Sequence, residues 1–72
     1  MNKKVLDRRT LIAGFLKNRR IELGMTQEEL AEKTGMARAT INRMEQGLFW
    51  LGMKQYLLIC EALEISPKEA LS

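Results

Sequence analysis

The chain of 72 residues has a formal net charge of +3, and 29% of its residues are charged. A chain of this length forms one small domain and buries only about 60% of its unfolded surface, which leaves little room for a deep catalytic cavity. The positive charge is concentrated at the start, where residues 1–23 hold seven Lys or Arg against Asp7 and Glu22, a local charge of +5. Such a segment suits a polyanion, although exposed basic side chains also serve solubility alone.

The content of reactive side chains argues against metal sites, disulfides and catalysis. The chain has one Cys and no His, so neither an intrachain disulfide nor a zinc site is expected. Cys60 lies in the apolar run YLLICEAL, which favours a small buried core residue over the alternative of a reactive thiol. No nucleophile is paired with a base, and no stretch resembles a membrane span of roughly 20 apolar residues or a secretion signal. We therefore expect a cytoplasmic protein that is not an enzyme and uses no cofactor, metal or membrane.

The N-terminal third of the chain predicts an arm and a long helix. Residues 1–7, MNKKVLD, are expected to form a flexible basic arm, and residues 8–72 a single domain. Helix one is expected to begin between Asp7 and Thr10 and to end before Gly24. Its inward stripe at helical spacing is predicted to comprise Ile12, Phe15, Leu16, Arg20 and Leu23.

Residues 26–47, TQEELAEKTGMARATINRMEQG, predict two short helices joined by a tight turn at Gly35. Thr26 is a good N-cap for the first of these helices, and Glu29 stands where a capping box needs its carboxylate. In the second helix, Ile41 and Met44 form a narrow apolar seam. The opposite face of that helix projects Arg38, Ala39, Asn42 and Arg43.

The remaining residues predict an apolar loop and two more helices. The segment after residue 47, LFWLG, offers four large apolar groups and no charge, which either fold back over the core or form a protein interface. A fourth helix is predicted over residues 53–63, with Met53, Tyr56, Leu57, Ile59, Cys60 and Leu63 on its apolar arc. Leu58 widens that arc beyond one buried face and is the best single indicator of a partner. Ser66, Pro67 and Glu69 then open a short fifth helix.

The pattern T-Q-x-E-L-A-x-x-T-G-x-x-x-x-T-I-x-R-x-E-x-G, matched from Thr26 to Gly47, resembles the helix-turn-helix domains of the Cro and phage-repressor type, also called Xre-like. The resemblance implies an all-α, compact five-helix, lambda-repressor-like DNA-binding domain with the helix-turn-helix at helices 2 and 3. Helix 3 would enter the major groove, with base contacts from Arg38, Ala39, Asn42 and Arg43. Phosphate contacts would come from Gln27, Thr40 and Gln46. Apart from the resemblance, Lys17 is a further candidate for a phosphate contact, because it points outward from helix one. The resemblance also implies a partly buried ion pair between Arg20 and Glu45.

The chain departs from this family at two places. Ala37 stands where a Ser or Thr usually caps helix 3, which removes about 1 kcal/mol of capping. The loop after helix 3 is apolar where relatives commonly have a polar loop that grips the DNA backbone, so the resemblance does not carry those backbone contacts over to this chain. A dimer or partner interface is predicted instead from Leu48, Phe49, Trp50 and Leu58.

Together these features predict a sequence-specific transcriptional regulator of prokaryotic origin, most simply a repressor, acting on double-stranded DNA in the nucleoid. A homodimer on a palindromic operator doubles the contacts of one half-site and places two recognition helices roughly 34 Å apart. Lys3 and Lys4 of the arm are candidates for backbone or minor-groove contacts. Two other hypotheses stay open. One is an antitoxin or other interaction module that holds a small protein through the LFWL loop and helix 4, and the other is the controller protein of a restriction-modification system. We expect regulation by self-association, a partner or protein concentration.

Overall fold

The computed structural model describes the backbone of residues 3–48 and 51–71 and the side chains of residues 8–48 and 51–70. These residues form helices and turns, with no strand among them. The helices are α1 (Lys3–Glu22), α2 (Gln27–Thr34), α3 (Arg38–Glu45), α4 (Met53–Ala62) and α5 (Pro67–Leu71). The all-α, five-helix architecture predicted from the sequence is therefore confirmed, with α2 and α3 as the helix-turn-helix.

The first helix begins earlier than the sequence predicted. It starts at Lys3 rather than between Asp7 and Thr10, because residues 3–10 contain no Gly or Pro and a cap-forming side chain does not by itself interrupt a helix. Residues 3–7 of the expected arm are thus helical backbone, while its residues 1 and 2 lie outside the described part of the chain. At its other end α1 stops at Glu22, and Gly24 adopts a φ of 69°, the left-handed conformation that terminates many helices.

Local hydrogen bonds fix both ends of α2 as predicted. The hydroxyl of Thr26 accepts a bond of 3.0 Å from the backbone N–H of Glu29, and the Glu29 carboxylate accepts one of 3.0 Å from the backbone N–H of Thr26. These bonds to Thr26 lower the pKa of the Glu29 carboxyl from its ordinary value. Gly35 closes the helix with a φ of 70°. The following helix, α3, starts at an extended Ala37 that makes no side-chain cap bond, so no side-chain hydroxyl at this position caps its first-turn amides.

The hydrophobic core lies where α2 packs against α3 and α4, and where α1 packs against α3 and α5. Cys60 is 1% exposed, which confirms it as a core residue, and burial raises the pKa of its thiol. No helix in the described part of the chain is long and apolar enough to cross a bilayer. The other core residues include Leu16, Leu30, Ala31, Ile41, Met44, Leu51, Tyr56, Ile59, Leu63 and Ala70.

Several apolar side chains that were predicted to face inward lie at the surface. Phe15 on α1 is 40% exposed, and on α4 Met53 is 71% and Leu57 is 46% exposed. The face of α4 buried against the core is narrower than its apolar arc, because α4 packs mainly on α2 and α5. Leu58, expected to point outward, is half-buried. The exposed apolar surface of α4 is therefore centred on Met53 and Leu57 rather than on Leu58.

Candidate nucleic-acid interface

The polar face of α3 is held outward by a buried seam. Ile41 is 0% and Met44 3% exposed, and both pack in the core cluster. On the opposite face, the side chains proposed from the sequence as base contacts are all exposed, namely those of Arg38, Ala39, Asn42 and Arg43. Residues four apart on a helix are neighbours, so these side chains form one continuous exposed surface. The fold therefore leaves all four side chains accessible at the surface.

A buried ion pair ties α3 to α1. The guanidinium of Arg20 donates from Nε to Oε2 of Glu45 at 2.7 Å and from Nη2 to Oε1 at 3.1 Å. Its Nη1 donates to the backbone carbonyl of Met25 at 2.6 Å. The Arg20 and Glu45 side chains are 11% and 2% exposed. This paired geometry uses both carboxylate oxygens and fixes the orientation of α3 relative to α1.

The side chain of Gln27 joins this ion pair to the exposed face of α3. Its Nε2 donates to Oε1 of Glu45 at 3.0 Å and to Oδ1 of Asn42 at 3.3 Å. Both amide hydrogens are thus directed at protein oxygens, so a phosphate contact of the Gln27 side chain, which stays a prediction, would have to replace one of these bonds. The group left for a phosphate is the backbone N–H of Gln27 at the first position of α2, which has no intrahelical acceptor.

An acidic side chain that the sequence did not identify borders the same surface. Nε of Arg38 lies 4.0 Å from Oε1 of Glu28, and the two side chains are 65% and 76% exposed. Such an exposed pair contributes at most about 1 kcal/mol. The partners are ten positions apart in the sequence, so no local pattern pointed to their contact. Both residues also line a shallow groove where α1, α2 and α3 meet, together with Arg20, Ile21, Gly24, Met25, Thr26 and Gln27.

The remaining predicted phosphate contacts differ in accessibility. Gln46 and Lys17 are exposed, whereas Thr40 is half-buried. Lys17 lies one turn before Ile21, which lines the groove, and residues four apart share a helix face. Lys17 therefore lies on the same face of α1 as Ile21 but does not itself line the groove.

The predicted interface residues are only partly within the described structure. Leu48 is 63% exposed, while Leu51 at the other end of the loop is 6% exposed and belongs to the core. Phe49 and Trp50 lie outside the described residues. Leu58 lines a shallow surface pocket with Lys33, Glu61, Ala62 and Glu64.

Comparison with known proteins agrees with this geometry. Residues 16–69 match the helix-turn-helix family. An uncharacterized HTH-type transcriptional regulator of Methanothermobacter thermautotrophicus is 51% identical over 35 residues, which is 49% of this chain and 51% of that relative. The match thus spans about half of the relative's length.

Two solved structures share the fold over most of the chain. The restriction-modification controller protein C.AhdI from Aeromonas hydrophila superposes with a TM-score of 0.81 at 28% identity, covering 85% of this chain and 92% of that one. The clp gene regulator ClgR from Corynebacterium glutamicum superposes with a TM-score of 0.84 at 25% identity, covering 89% of this chain and 68% of that one. Since the family match extends over most of the residues, the chain belongs to the helix-turn-helix family of Cro and phage-repressor type, a family of DNA-binding transcriptional regulators.

Proposed function

We propose that the protein is a sequence-specific transcriptional repressor that binds a palindromic operator in double-stranded DNA as a homodimer, with α3 in the major groove. The observation that carries this proposal is the exposed polar face of α3, held outward by its buried seam and by the Arg20–Glu45 pair. Arg38 and Arg43 are the principal base-reading residues, since a guanidinium matches the O6 and N7 acceptors of guanine with about 1–3 kcal/mol of discrimination. Ala39 offers a methyl contact to thymine.

Phosphate contacts flank this surface and supply affinity that does not depend on sequence. The candidates are the backbone N–H of Gln27 together with the side chains of Lys17, Thr40 and Gln46. Each neutralised phosphate releases counterions, so binding is expected to weaken steeply as salt is raised. These contacts orient α3 on the duplex, whereas the exposed face of α3 selects the site. The activity belongs to the nucleoid of a prokaryotic cytoplasm.

A homodimer follows from the size of the recognition surface. One α3 of eight residues is about 12 Å long and reads only part of a site, so a single domain binds weakly at physiological salt. We place the interface on the loop after α3 and on α4, where Leu48, Met53 and Leu57 are exposed and Leu58 is half-buried. Phe49 and Trp50 belong to the same proposed interface.

Sedimentation at tens of micromolar tests the interface with matched variants. Leu57→Glu is expected to shift a dimer to monomer and to weaken operator binding, because it places a charge in an apolar contact. Leu11→Glu is the control, since Leu11 is an equally apolar side chain on α1 and is 71% exposed. A wild-type protein that sediments only as monomer would overturn the homodimer. Dissociation by Leu11→Glu alone would move the interface to α1.

Selection of bound sites from a randomised duplex pool, at two salt concentrations, tests DNA recognition. Enrichment of a palindrome with half-sites about one helical turn apart is the expected result. Arg38→Ala and Arg43→Ala should each relax the preference at one position, whereas Lys17→Ala should weaken all sites by a similar factor. If no sequence is enriched, the DNA-reading function is wrong and a protein partner held by the α4 surface becomes the better hypothesis, which co-purification of a small second chain would support.

The similarity to C.AhdI favours a second candidate function, that of a restriction-modification controller. That solved structure is described as a controller protein, and the match covers 92% of it. Such a protein would use the same DNA-binding face, so the selection experiment does not separate the two roles. Genomic neighbours do: a restriction-modification controller is expected beside restriction and modification genes, whereas a repressor of another system is not.

A further inference from the structure

We propose that Gln27 sets the hydrogen-bonding polarity of Asn42 and so determines which base Asn42 recognises, an inference that rests on the proposed function. The side chains of Arg20, Glu45, Gln27 and Asn42 form a continuous series of hydrogen bonds, here called the polar chain. It starts at a buried guanidinium and ends on the exposed face of α3. The core of the protein is thereby linked to a residue of the DNA-reading surface.

The direction of every bond in the polar chain follows from the charge at its buried end. The guanidinium of Arg20 directs two N–H groups at the two oxygens of Glu45, the geometry of a bidentate pair with a carboxylate. A carboxylate only accepts hydrogen bonds, so the atom of Gln27 that faces Glu45 must be its amide nitrogen. The second hydrogen on that nitrogen points to Asn42, whose facing atom must then be the carbonyl oxygen. Chemistry alone thus assigns nitrogen and oxygen in both amides.

This assignment restricts what Asn42 presents to DNA. Its Oδ1 is turned toward α2, and Nδ2 makes no hydrogen bond to any residue that the structure describes. The group that Asn42 presents to DNA is therefore a hydrogen-bond donor, Nδ2. An unconstrained Asn pairs with adenine through both amide atoms, since adenine offers an acceptor at N7 and a donor at N6. Guanine offers two acceptors, O6 and N7, so Asn42 held by Gln27 favours guanine over adenine.

Gln27 is accordingly a positioning residue that acts through Asn42. It need not touch the base whose identity it influences. The alternative is that Gln27 only supports binding through the phosphate backbone, in which case its removal affects all sequences alike. These two roles differ in a measurable way, because only the first changes the ranking of bases at one position.

Site selection with the wild type, Gln27→Ala, Asn42→Ala and the double variant separates these roles. The base pair read by Asn42 is the one that loses its preference in Asn42→Ala. At this pair, Gln27→Ala is expected to shift the guanine-to-adenine ratio toward adenine by about tenfold. The shift should disappear in the Asn42→Ala background. A Gln27→Ala variant that loses affinity by one factor for all four bases overturns the proposal.

Gln46→Ala provides the matched control for loss of a glutamine side chain beside α3. As a phosphate contact, it should lower affinity for all sites and leave the guanine-to-adenine ratio unchanged. Circular dichroism of each variant establishes that the fold is retained before binding is measured. If the guanine-to-adenine ratio changes equally in Gln46→Ala and Gln27→Ala, the polar chain has no specific role in base recognition and the proposal is wrong.

Nuclear magnetic resonance of the DNA-free protein tests the polar chain independently of DNA binding. The Nε2 protons of Gln27 are expected to exchange with water more slowly than those of exposed Gln46, and Asn42→Ala should shift the Gln27 signals. Equal exchange rates for the two glutamines would overturn the proposal. Slow exchange in a protein that enriches no DNA sequence would instead overturn the proposed function, and with it the base-reading role of Asn42.

Discussion

Removing one partner of the Arg20–Glu45 pair is expected to destabilise the domain severely. In Arg20→Met the Glu45 carboxylate, whose side chain is 2% exposed, keeps the Gln27 amide as its only side-chain donor among the residues that the structure describes. Stranding one charge of a buried pair costs about 3–5 kcal/mol. At about 0.05–0.15 kcal/mol per residue, a domain of this size has a total unfolding free energy of about 4–11 kcal/mol. The variant should therefore lose a large part of its stability or unfold.

Urea denaturation followed by circular dichroism measures this loss for Arg20→Met, Glu45→Leu and the double variant. The double variant should recover most of the lost stability, because two apolar side chains leave no unpaired charge. Arg19→Met is the matched control: the neighbouring Arg19 is half-buried and donates one bond of 2.9 Å to the Leu63 carbonyl, so its loss should cost about 1 kcal/mol. If Arg20→Met costs no more than Arg19→Met, the pair behaves like an exposed one and the reasoning is wrong.

Three further predictions concern other parts of the domain. Ala37→Ser should stabilise the protein by about 1 kcal/mol in thermal melting, because Ala37 already has the extended backbone of an N-cap; Ala39→Ser, inside α3, is the control and should give no gain. Burial raises the pKa of Tyr56 from 10.0 to about 12, so the fold favours the neutral phenol. The contribution of Tyr56 to the free energy of unfolding should be constant below pH 10 and should be lost as the pH rises toward about 12. Since the chain has one Tyr, tyrosinate absorbance after a rapid pH jump reports this group alone, and a midpoint near 10.0 in the folded protein would contradict the prediction. Glu28→Gln should raise DNA affinity by about two- to fivefold at low salt, because it releases Arg38 and removes a negative charge from the interface; an unchanged affinity would show that Glu28 lies away from the DNA.

Sequence reasoning was most successful where the cause is local. The caps of α2 depend on Thr26, Glu29 and Gly35, all of which lie within a few residues of the backbone groups they satisfy. The start of α1 also depends on nearby residues, yet its predicted position was wrong. Asp7 and Thr10 can each cap a helix or lie inside one. Only the absence of a breaker between residues 3 and 10 decides between these outcomes.

Periodicity identified buried faces but overestimated their width. Phe15 and Leu57 stand at helical spacing with core residues, yet both are more than one third exposed. The fraction of a helix surface that is buried depends on the crossing angles and lengths of the neighbouring helices. The spacing of apolar residues along one helix gives no information about either.

The contacts of the candidate site were the least predictable. The sequence motif placed Arg38, Ala39, Asn42 and Arg43 on one face, and the structure leaves all of them exposed. The bonds from Gln27 to Asn42 and Glu45 span 15 and 18 residues. Such pairs meet only after α2 and α3 have packed, so no spacing rule reveals them.

The polar chain also bears on how readily this protein can acquire a new target sequence. Arg38 and Ala39 stand on the solvent side of α3, so substitutions there alter base recognition while leaving the core intact. Asn42 is bonded through Gln27 to the buried carboxylate of Glu45, so a replacement at position 42 or 27 also changes the surroundings of that charge. Evolution, or a designer of altered specificity, is therefore expected to vary positions 38 and 39 independently and to change positions 27 and 42 together.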